Sequence, residues 1–305
     1  MKMFLSGFAD EAGGDFAVQI ETTRRMGWKY IEARRINGKN LGTMSDAEFD
    51  AVCRQLDESG IRISCFGSSV ANWMRSPLSD EDFESGKKLL LTALPRMRKL
   101  RIPIIRAMSF KTLLEDMRPD APEIEENVFR KVGELVRICA DAGILYGHEN
   151  CMNYGGLSWK HTLRLIEKID HPNFTLIFDT GNPVFNYNWI GDPPYALQSS
   201  WEFYKNVREF ISYVHIKDGT AMPGNDFRVR PDCEYCYAGD GLGDVRAIVS
   251  DLRKTGYDGG FSIEPHLIHV QHDPAGGDRT LDPVETYMEY GRRFERLLCE
   301  CGWDI

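Results

Sequence analysis

Short apolar segments alternate along the whole chain with longer segments in which apolar residues recur at helical spacing. The short segments are predicted strands: Met3–Ala9, Tyr30–Ala33, Arg62–Gly67, Ile104–Ala107, Leu145–Glu149, Thr175–Asp179, Tyr213–Ile216 and Gly260–Glu264. The longer segments are predicted helices: Asp15–Met26, Asp46–Glu58, Glu81–Leu100, Glu123–Ala142, Ser158–Ile169, Trp201–Phe210, Gly243–Lys254 and Val284–Cys299. A repeated alternation of strand and helix implies parallel strands joined by right-handed crossovers. We therefore predict an α/β protein, a single (β/α)₈ TIM barrel that spans residues 1–305.

Several predicted helix ends carry residues with a capping role. Ser45 and Glu48 form a capping-box pattern, in which a hydroxyl and a carboxylate satisfy the first unpaired amides of a helix. Gly60 and Gly256 follow predicted helices and suit the left-handed conformation that ends them. A doubly wound sheet is the alternative fold, but the segment after the first strand lacks the G-x-G-x-x-G spacing of a dinucleotide-binding turn. Nucleotide binding is therefore not indicated.

The longest irregular stretch expected from the sequence follows the seventh strand, at residues 218–240. This stretch is too long for an ordinary connection in a compact domain. Active sites of TIM barrels are built from the loops that follow the strands. We therefore predict that residues 218–240 form a lid or an insertion over the site.

Composition and charge limit the possible partners. A hydrophobic fraction of 42% and a charged fraction of 27% are typical of a globular domain. The formal net charge of -9 disfavours nucleic acid, because phosphate binding requires a basic face. Neither a signal-peptide core nor a membrane-spanning apolar run occurs, so we expect a cytoplasmic protein that does not bind a membrane. The cysteines are scattered, and we interpret the C-x-x-C pair Cys233 and Cys236 as incidental loop cysteines.

Four successive predicted strands end in a residue that can bind a metal ion: Glu149, Asp179, His215 and Glu264. Because the carboxyl ends of parallel barrel strands lie at one rim, we expect these side chains to converge. Three carboxylates in a partly dehydrated site repel one another, and a divalent cation removes that conflict. Three oxygen ligands and one imidazole suit Mn²⁺, Mg²⁺, Co²⁺ or Zn²⁺. A strand-end cap or an ion pair would explain any one of these acids, but four consecutive units favour a metal site.

Each of the four residues lies in a short characteristic segment: GHEN at 147–150, FDTGN at 178–182, HIKD at 215–218 and IEPH at 263–266. These segments resemble those of the xylose isomerase-like barrels, a group that includes ketose 3-epimerases, hydroxypyruvate isomerase and inosose dehydratase. The resemblance covers essentially the whole chain. It implies one divalent metal ion, with Mn²⁺ expected first, held by the four strand-end residues. It also implies that Glu149 and Glu264 form the catalytic acid/base pair, that the partner is a small sugar or polyol substrate, and that a homo-oligomer can form.

Two positions depart from the epimerase members that the chain resembles. Those members carry a substrate-binding His three residues after the ligand Asp, where this chain has Asn182. They carry an Arg six residues after the ligand His, where this chain has Ala221. Lys217 and Asp218 give a pattern closer to that of dehydratase-like members. These departures leave lyase or dehydratase chemistry open beside epimerisation.

Five further residues are predicted to bind substrate: Asn182, Lys217, His266, Glu32 and Arg106. Each of the last three has an alternative explanation. His266 would otherwise be a surface histidine, and Arg106 half of a buried ion pair. Glu32 would otherwise be a partner of Arg34 or Arg35.

Residues beside these candidates are interpreted from strand alternation and from side-chain type. His148 should point away from its neighbour Glu149, so we interpret it as a packing residue or a support for the site. Trp73, Trp159 and Trp189 follow predicted strands and could form an apolar wall against a sugar, or pack in the core.

The leading hypothesis is a divalent-metal-dependent sugar isomerase or epimerase that transfers a proton next to a carbonyl through a metal-stabilised enediolate. The alternative is a metal-dependent lyase or dehydratase that acts on a keto-polyol or an oxidised glycoside. A non-catalytic sugar-binding subunit is a third interpretation. A DNA-repair endonuclease on the same fold is a fourth, but it would need more histidines and a basic groove. No clustered basic residues are evident in the sequence, which favours an unphosphorylated substrate.

Overall fold

The protein is built around a parallel sheet, and its computed structural model describes residues 3–114, 117–268, 278 and 280–305. The strands are β1 (Phe4–Gly7), β2 (Tyr30–Ala33), β3 (Arg62–Gly67), β4 (Ile104–Ala107), β5 (Leu145–Glu149), β6 (Phe174–Asp179), β7 (Ile211–Ile216), β8 (Asp218–Met222), β9 (Asp232–Cys236) and β10 (Gly260–Ile263). Eight of them form one parallel sheet in the order β1-β10-β7-β6-β5-β4-β3-β2. The end strands β1 and β2 lie side by side and nearly close the sheet into a barrel. The predicted TIM-barrel fold is confirmed.

The helices lie between successive barrel strands, as the alternating pattern predicts. They are α1 (Phe16–Arg25), α2 (Asp46–Ser59), α3 (Asp80–Leu100), α4 (Pro122–Asp141), α5 (Trp159–Ile169), α6 (Ser200–Val207), α7 (Val245–Lys254) and α8 (Pro283–Glu300). The capping box at α2 is present: the Ser45 hydroxyl accepts from the Glu48 amide, and the Glu48 carboxylate accepts from the Ser45 amide. Gly60 ends the same helix with φ of 72°, a conformation that suits glycine. Within the described segments, no helix is both long and apolar enough to cross a lipid bilayer.

Predicted and observed boundaries differ where the local backbone changes type. Met3–Ala9 was too long a prediction, because the chain turns into a short 3₁₀ helix at Ala9–Glu11 directly after β1. The predicted helix Trp201–Phe210 ends at Val207 and continues as a 3₁₀ turn. Glu264 lies one residue beyond β10 rather than inside it.

Residues 218–240 are not the irregular stretch that the sequence suggests, because β8 and β9 pair as an antiparallel hairpin. The buried carboxylate of Asp218 holds its base, accepting hydrogen bonds from the amides of four glycines. These are Gly219, Gly239, Gly241 and Gly243, at 2.8 to 3.1 Å. Most side chains of the two strands remain at least partly exposed, so the apolar alternation that marks a strand in sequence is weak. The C-x-x-C pair therefore lies on β9 and not in a loop.

The register of the barrel places the four strand-end residues side by side. Asp179 on β6 is directly opposite His215 on β7, and His215 is opposite Ser262, two residues before Glu264. Asn150 ties the ends of β5 and β6 together, because its side chain accepts from the Asp179 amide and donates to the Asp179 carbonyl. The barrel therefore positions one ligand-type side chain at the carboxyl end of each of four strands, β5, β6, β7 and β10.

Candidate metal centre

Four buried side chains meet at the carboxyl-terminal rim of the barrel. Each of Glu149, Asp179, His215 and Glu264 offers a ligand atom that lies within 4.8 Å of the other three. None of the four residues is more than 4% exposed to solvent. These are the four predicted metal ligands, and the structure brings them together; their role as ligands stays a prediction.

His215 presents its two ring nitrogens to different carboxylates. Its Nε2 lies 3.1 and 3.0 Å from the two carboxylate oxygens of Glu32 on β2. Its Nδ1 faces the cluster, 3.5 Å from Oε1 of Glu149 and 3.9 Å from Oε2 of Glu264. Burial alone would lower the pKa of His215, but the carboxylates of Glu32 and Glu149 raise it to about 10. The ring is thereby oriented with Nδ1 toward the cluster, where it can act as a ligand once its proton is lost.

Glu149 has neighbours that keep it ionised. Its Oε1 accepts a hydrogen bond of 3.1 Å from Nδ2 of Asn182, and its Oε2 lies 3.4 Å from Nη1 of Arg106. Burial alone would raise the pKa of Glu149, but Arg106 and His215 lower it to about 2. Arg106 is thus one half of a buried ion pair and also part of the cavity wall.

Lys217 bridges the other two carboxylates. Its Nζ lies 2.9 Å from Oδ2 of Asp179 and donates to Oε2 of Glu264 at 2.7 Å. Burial raises the pKa of Asp179 to about 6, although Lys217 opposes that rise. Burial also acts to raise the pKa of Glu264, but Lys217, His266 and Arg34 hold it well below its usual value. The lysine therefore offsets part of the negative charge inside the cluster.

Arg34 joins the cluster to a second acidic group that sequence reasoning missed. Its guanidinium contacts Oε1 of Glu264 at 3.1 Å, Glu11 at 3.1 Å and Asp10 at 2.9 Å. His266 contacts the same Glu11 through its amide at 2.8 Å and its Nδ1 at 3.0 Å. Glu11, Glu264 and His266 also lie close enough to hold a cation, but Arg34 already supplies a positive charge there. In the sequence, the signal for this second acidic group was the pair Asp10 and Glu11 just after β1.

The donor set of the first cluster fits a divalent cation. Within the described part of the chain, Oε2 of Glu149, Oδ2 of Asp179 and Nδ1 of His215 are buried without a hydrogen-bond partner. The neighbouring Arg106 and Lys217 offset charge without completing those bonds. An unsatisfied buried polar atom costs about 1–3 kcal/mol, so three that converge point to a missing partner. Two carboxylates and an imidazole are the ligand types that divalent metals bind.

A cavity of about 720 Å³ opens directly above the cluster. Its wall includes six of the residues predicted to act in the site: Glu149, Glu264, Asn182, Lys217, His266 and Arg106. His266 is buried, so the alternative of a surface histidine is wrong. Glu32 is not part of this wall; it is buried behind the imidazole of His215, because its carboxylate is used by that ring. The prediction that Glu32 touches substrate is therefore not supported by its position, and neither is pairing with Arg34.

Basic residues also meet on this cavity, contrary to the expectation of no cluster: Arg34, Arg35, Arg75, Arg106, Lys217 and Arg230. They come from five separate parts of the chain, so no basic run appears in the sequence. Four of them bind carboxylates of the protein itself. Besides Arg34, Arg106 and Lys217, Arg75 pairs with Asp82 at 2.9 Å. Four of the six positive side chains therefore offset the charge of neighbouring carboxylates of the protein.

The other residues singled out in the sequence have separate positions. His148 donates to or accepts from the Ser109 hydroxyl at 2.9 Å, away from the cluster, and burial lowers its pKa to about 4. Trp73 lines the large cavity, and Trp189 lines a smaller one beside it. Trp159 packs against the hydrophobic core instead. Ala221 is buried in β8 against Val184 and Phe185 and does not line the cavity.

The sequence profile of the xylose isomerase-like TIM barrels matches residues 20–286. The chain belongs to this family. Among curated proteins, an uncharacterized protein of Methanocaldococcus jannaschii is 29% identical over 145 residues, which are 47% of this chain and 44% of that protein. The match therefore spans less than half the length of that relative.

Solved structures share the fold of this family member at low sequence identity. A xylose isomerase-like TIM barrel protein from Mycobacterium smegmatis, in complex with magnesium, is 18% identical, with a TM-score of 0.68 over 94% of this chain and 89% of that chain. The D-allulose 3-epimerase from Methylomonas sp., in complex with D-allulose, is 17% identical, with a TM-score of 0.69 over 97% and 96% of the two chains. A probable 3-DHS dehydratase involved in petrobactin synthesis, from Bacillus anthracis, is 14% identical, with a TM-score of 0.63 over 96% and 99%.

Proposed function

We propose that this protein is a divalent-metal-dependent enzyme that moves a proton next to the carbonyl of a sugar-like substrate, as an isomerase or epimerase. One observation carries the proposal. Three buried ligand atoms without hydrogen-bond partners converge below a cavity of about 720 Å³, and two glutamates of the same cluster line that cavity. Concave sites with a few converging polar groups are where small ligands usually bind.

Glu149, Asp179, His215 and Glu264 would hold the cation. When bound, the cation would polarise the substrate carbonyl and so acidify the neighbouring C–H bond. The family relative from Mycobacterium smegmatis binds magnesium, and oxygen-rich sites with one imidazole also suit Mn²⁺, which we propose as the first metal to test. The remaining chemistry falls to the residues of the chain.

Glu149 and Glu264 would carry the proton. Both line the cavity, where a carboxylate can accept the proton of a C–H bond that the cation would acidify. They come from β5 and from the end of β10, which lie on different parts of the rim. One carboxylate would remove the proton and the other would return it. Asn182 would hold Glu149 in place through the 3.1 Å hydrogen bond to Oε1.

A lyase or dehydratase is the second candidate, and the position of Lys217 favours it. The ammonium group lines the cavity while held between Asp179 and Glu264, so it can give a proton to a leaving group. The probable 3-DHS dehydratase of Bacillus anthracis shares the fold. The substrate of either reaction would be an unphosphorylated keto-polyol or keto-sugar, because most of the cavity cations already bind carboxylates of the protein. The expected cytoplasmic location and homo-oligomer stay predictions.

The test uses the metal-loaded protein and a panel of keto-sugars in deuterated water. Exchange of the proton next to the carbonyl, without loss of water or substituent, supports the isomerase; an unsaturated product supports the lyase. The Glu149→Gln variant should lose turnover by on the order of 10²–10⁴-fold. The matched control is Glu125→Gln, a buried glutamate bound to Tyr154 and Arg164 outside the cluster. Substrate binding without exchange in the wild type would instead identify a sugar-binding subunit.

A further inference from the structure

A second cavity of about 260 Å³ adjoins the cavity above the metal centre. The two share part of their lining: Trp73, Cys151, Met152, Phe185, Asn186 and Arg230. The shared residues form the boundary between the two spaces, with the guanidinium of Arg230 5.3 Å from the ring centre of Phe185. The second cavity therefore lies directly beside the space where a ligand of the metal centre would bind. We call the second cavity the aromatic annex.

The annex has aromatic side chains on its far side. Trp189, Tyr187 and Phe227 line it in addition to Trp73 and Phe185 at the boundary. The ring of Phe227 meets that of Trp189 edge to face, with centroids 5.3 Å apart. The ring of Trp189 also packs on that of Tyr195, with centroids 4.5 Å apart and planes tilted by 36°. This contact fixes the position of Trp189. Such a wall binds flat apolar groups through buried area and ring contacts.

The outer wall of the annex comes from the turn of the β8–β9 hairpin and is tied down at two points. Nη1 of Arg228 donates to the Leu114 carbonyl, in the segment after β4, at 2.9 Å. The Gly224 amide donates to the Tyr187 hydroxyl at 2.7 Å. Phe227 lies between Gly224 and Arg228 in the sequence, so these two bonds hold it in place. The annex is thus a built part of the site rather than a gap beneath a loose loop.

We propose that the substrate is a keto-polyol that carries a flat apolar substituent, with the keto end at the metal centre and the substituent in the aromatic annex. The assignment of the keto end rests on the proposed function. The assignment of the substituent rests on the aromatic lining of the adjoining annex, which offers ring contacts to a flat apolar group. The cavity above the metal centre alone, at about 720 Å³, lies within the volume range that takes drug-sized ligands, roughly 300–1,000 Å³, and the annex adds about 260 Å³ beside it.

The test compares phenyl and methyl β-glycosides of one 3-keto-hexose on the Mn²⁺-loaded protein, through kcat/KM for proton exchange in deuterated water. We expect the phenyl compound to be preferred on the order of 10- to 100-fold, the effect of burying one aromatic group. Trp189→Ala and Phe227→Leu should bring the ratio of the two kcat/KM values close to one. The matched control is Phe210→Ala, because that aromatic residue is partly exposed in the turn before β7.

A binding measurement separates this inference from the proposed function. Titration of the metal-loaded protein with unoxidised phenyl and methyl β-glucosides, followed by tryptophan fluorescence, needs no turnover. One outcome would support the annex and contradict the proposed reaction: no keto-sugar exchanges its proton, but the phenyl glucoside binds at least tenfold tighter than the methyl glucoside, and Trp189→Ala removes that difference. The opposite outcome would support the reaction and overturn the annex inference: both keto-glycosides exchange with equal kcat/KM, and both glucosides bind with equal affinity.

Discussion

Nε2 of His215 on β7 lies 3.0 Å from Oε2 of Glu32 on β2, and both side chains are fully buried. The contact crosses the barrel interior, because β7 and β2 are not neighbours in the sheet. It determines which nitrogen faces the cluster: with Nε2 occupied, Nδ1 points to Glu149 at 3.5 Å. A carboxylate behind a ligand histidine fixes the ring and raises its basicity. Glu32 is thus a positioning residue for His215.

The Glu32→Gln variant should bind Mn²⁺ about 10- to 100-fold more weakly than the wild type. The amide keeps the shape of the side chain but removes the charge that orients and polarises the imidazole. Isothermal titration calorimetry at fixed pH measures this change. Glu125→Gln alters another buried glutamate, so it should leave the metal affinity unchanged. An unaltered affinity in Glu32→Gln would show that the contact does not support the metal site.

Metal binding should release about one proton per site near pH 7. Burial would lower the pKa of His215, but Glu32 and Glu149 raise it to about 10, so the metal-free protein carries an imidazolium whose Nδ1 proton a cation must displace. Asp179, with a pKa raised by burial to about 6, is already mostly ionised and releases little. The Mn²⁺ affinity should therefore rise close to tenfold per pH unit between about pH 7 and 9.

Calorimetry in two buffers of different ionisation enthalpy counts this proton directly. The same raised pKa sets the sign for stability: the metal-free fold gains from the imidazolium below its ordinary pKa of 6.5, and loses that gain as the pH rises through about 10. In Glu32→Gln the number of protons released at pH 8 should fall. Release of no proton by the wild type would contradict a protonated His215.

Removing the ammonium of Lys217 should destabilise the metal-free protein far more than the metal-bound one. Lys217→Met leaves Asp179 and Glu264 without the cation that lies 2.9 and 2.7 Å from them, which should cost about 3 kcal/mol of unfolding free energy. A bound Mn²⁺ supplies positive charge in its place, so the loss should shrink when the metal is saturating. Urea unfolding with a chelator and with Mn²⁺ measures the two values.

Lys131→Met is the matched control for that comparison. Lys131 is also fully buried and its ammonium contacts Asp80 at 2.8 Å and the Pro77 carbonyl at 2.8 Å, outside the metal centre. Lys131→Met should lose the same unfolding free energy with chelator and with Mn²⁺. If Lys217→Met behaves like this control, the ammonium and the cation do not compensate the same charges.

Sequence reasoning reached the residues whose positions follow from a repeated rule. Parallel strands end at one rim, so Asp179 and His215 could be placed together from their strand ends alone. Contacts that cross the barrel, such as Glu32 with His215 or Arg34 with Glu11, follow no spacing in the chain and needed coordinates. The hairpin was missed for another reason: a partly exposed two-stranded ribbon buries too little to leave a period-two pattern.

Asp218 should determine how often that hairpin opens at its base. Its carboxylate accepts from the amides of four glycines at 2.8 to 3.1 Å, and Asp218→Asn would turn an amide donor toward some of those N–H groups. A hydrogen bond to a charged group contributes about 1.5–3 kcal/mol, so the hairpin should open more often and its amides exchange about 10- to 100-fold faster.

Hydrogen–deuterium exchange over residues 218–240 measures the opening of the hairpin. The value of kcat/KM should fall as well, because Tyr235 of β9 lines the cavity. Asp226→Asn, at the hairpin turn, should leave both unchanged, because its Oδ1 accepts from the Arg228 amide within the turn itself. Equal exchange in both variants would mean that other contacts hold the hairpin.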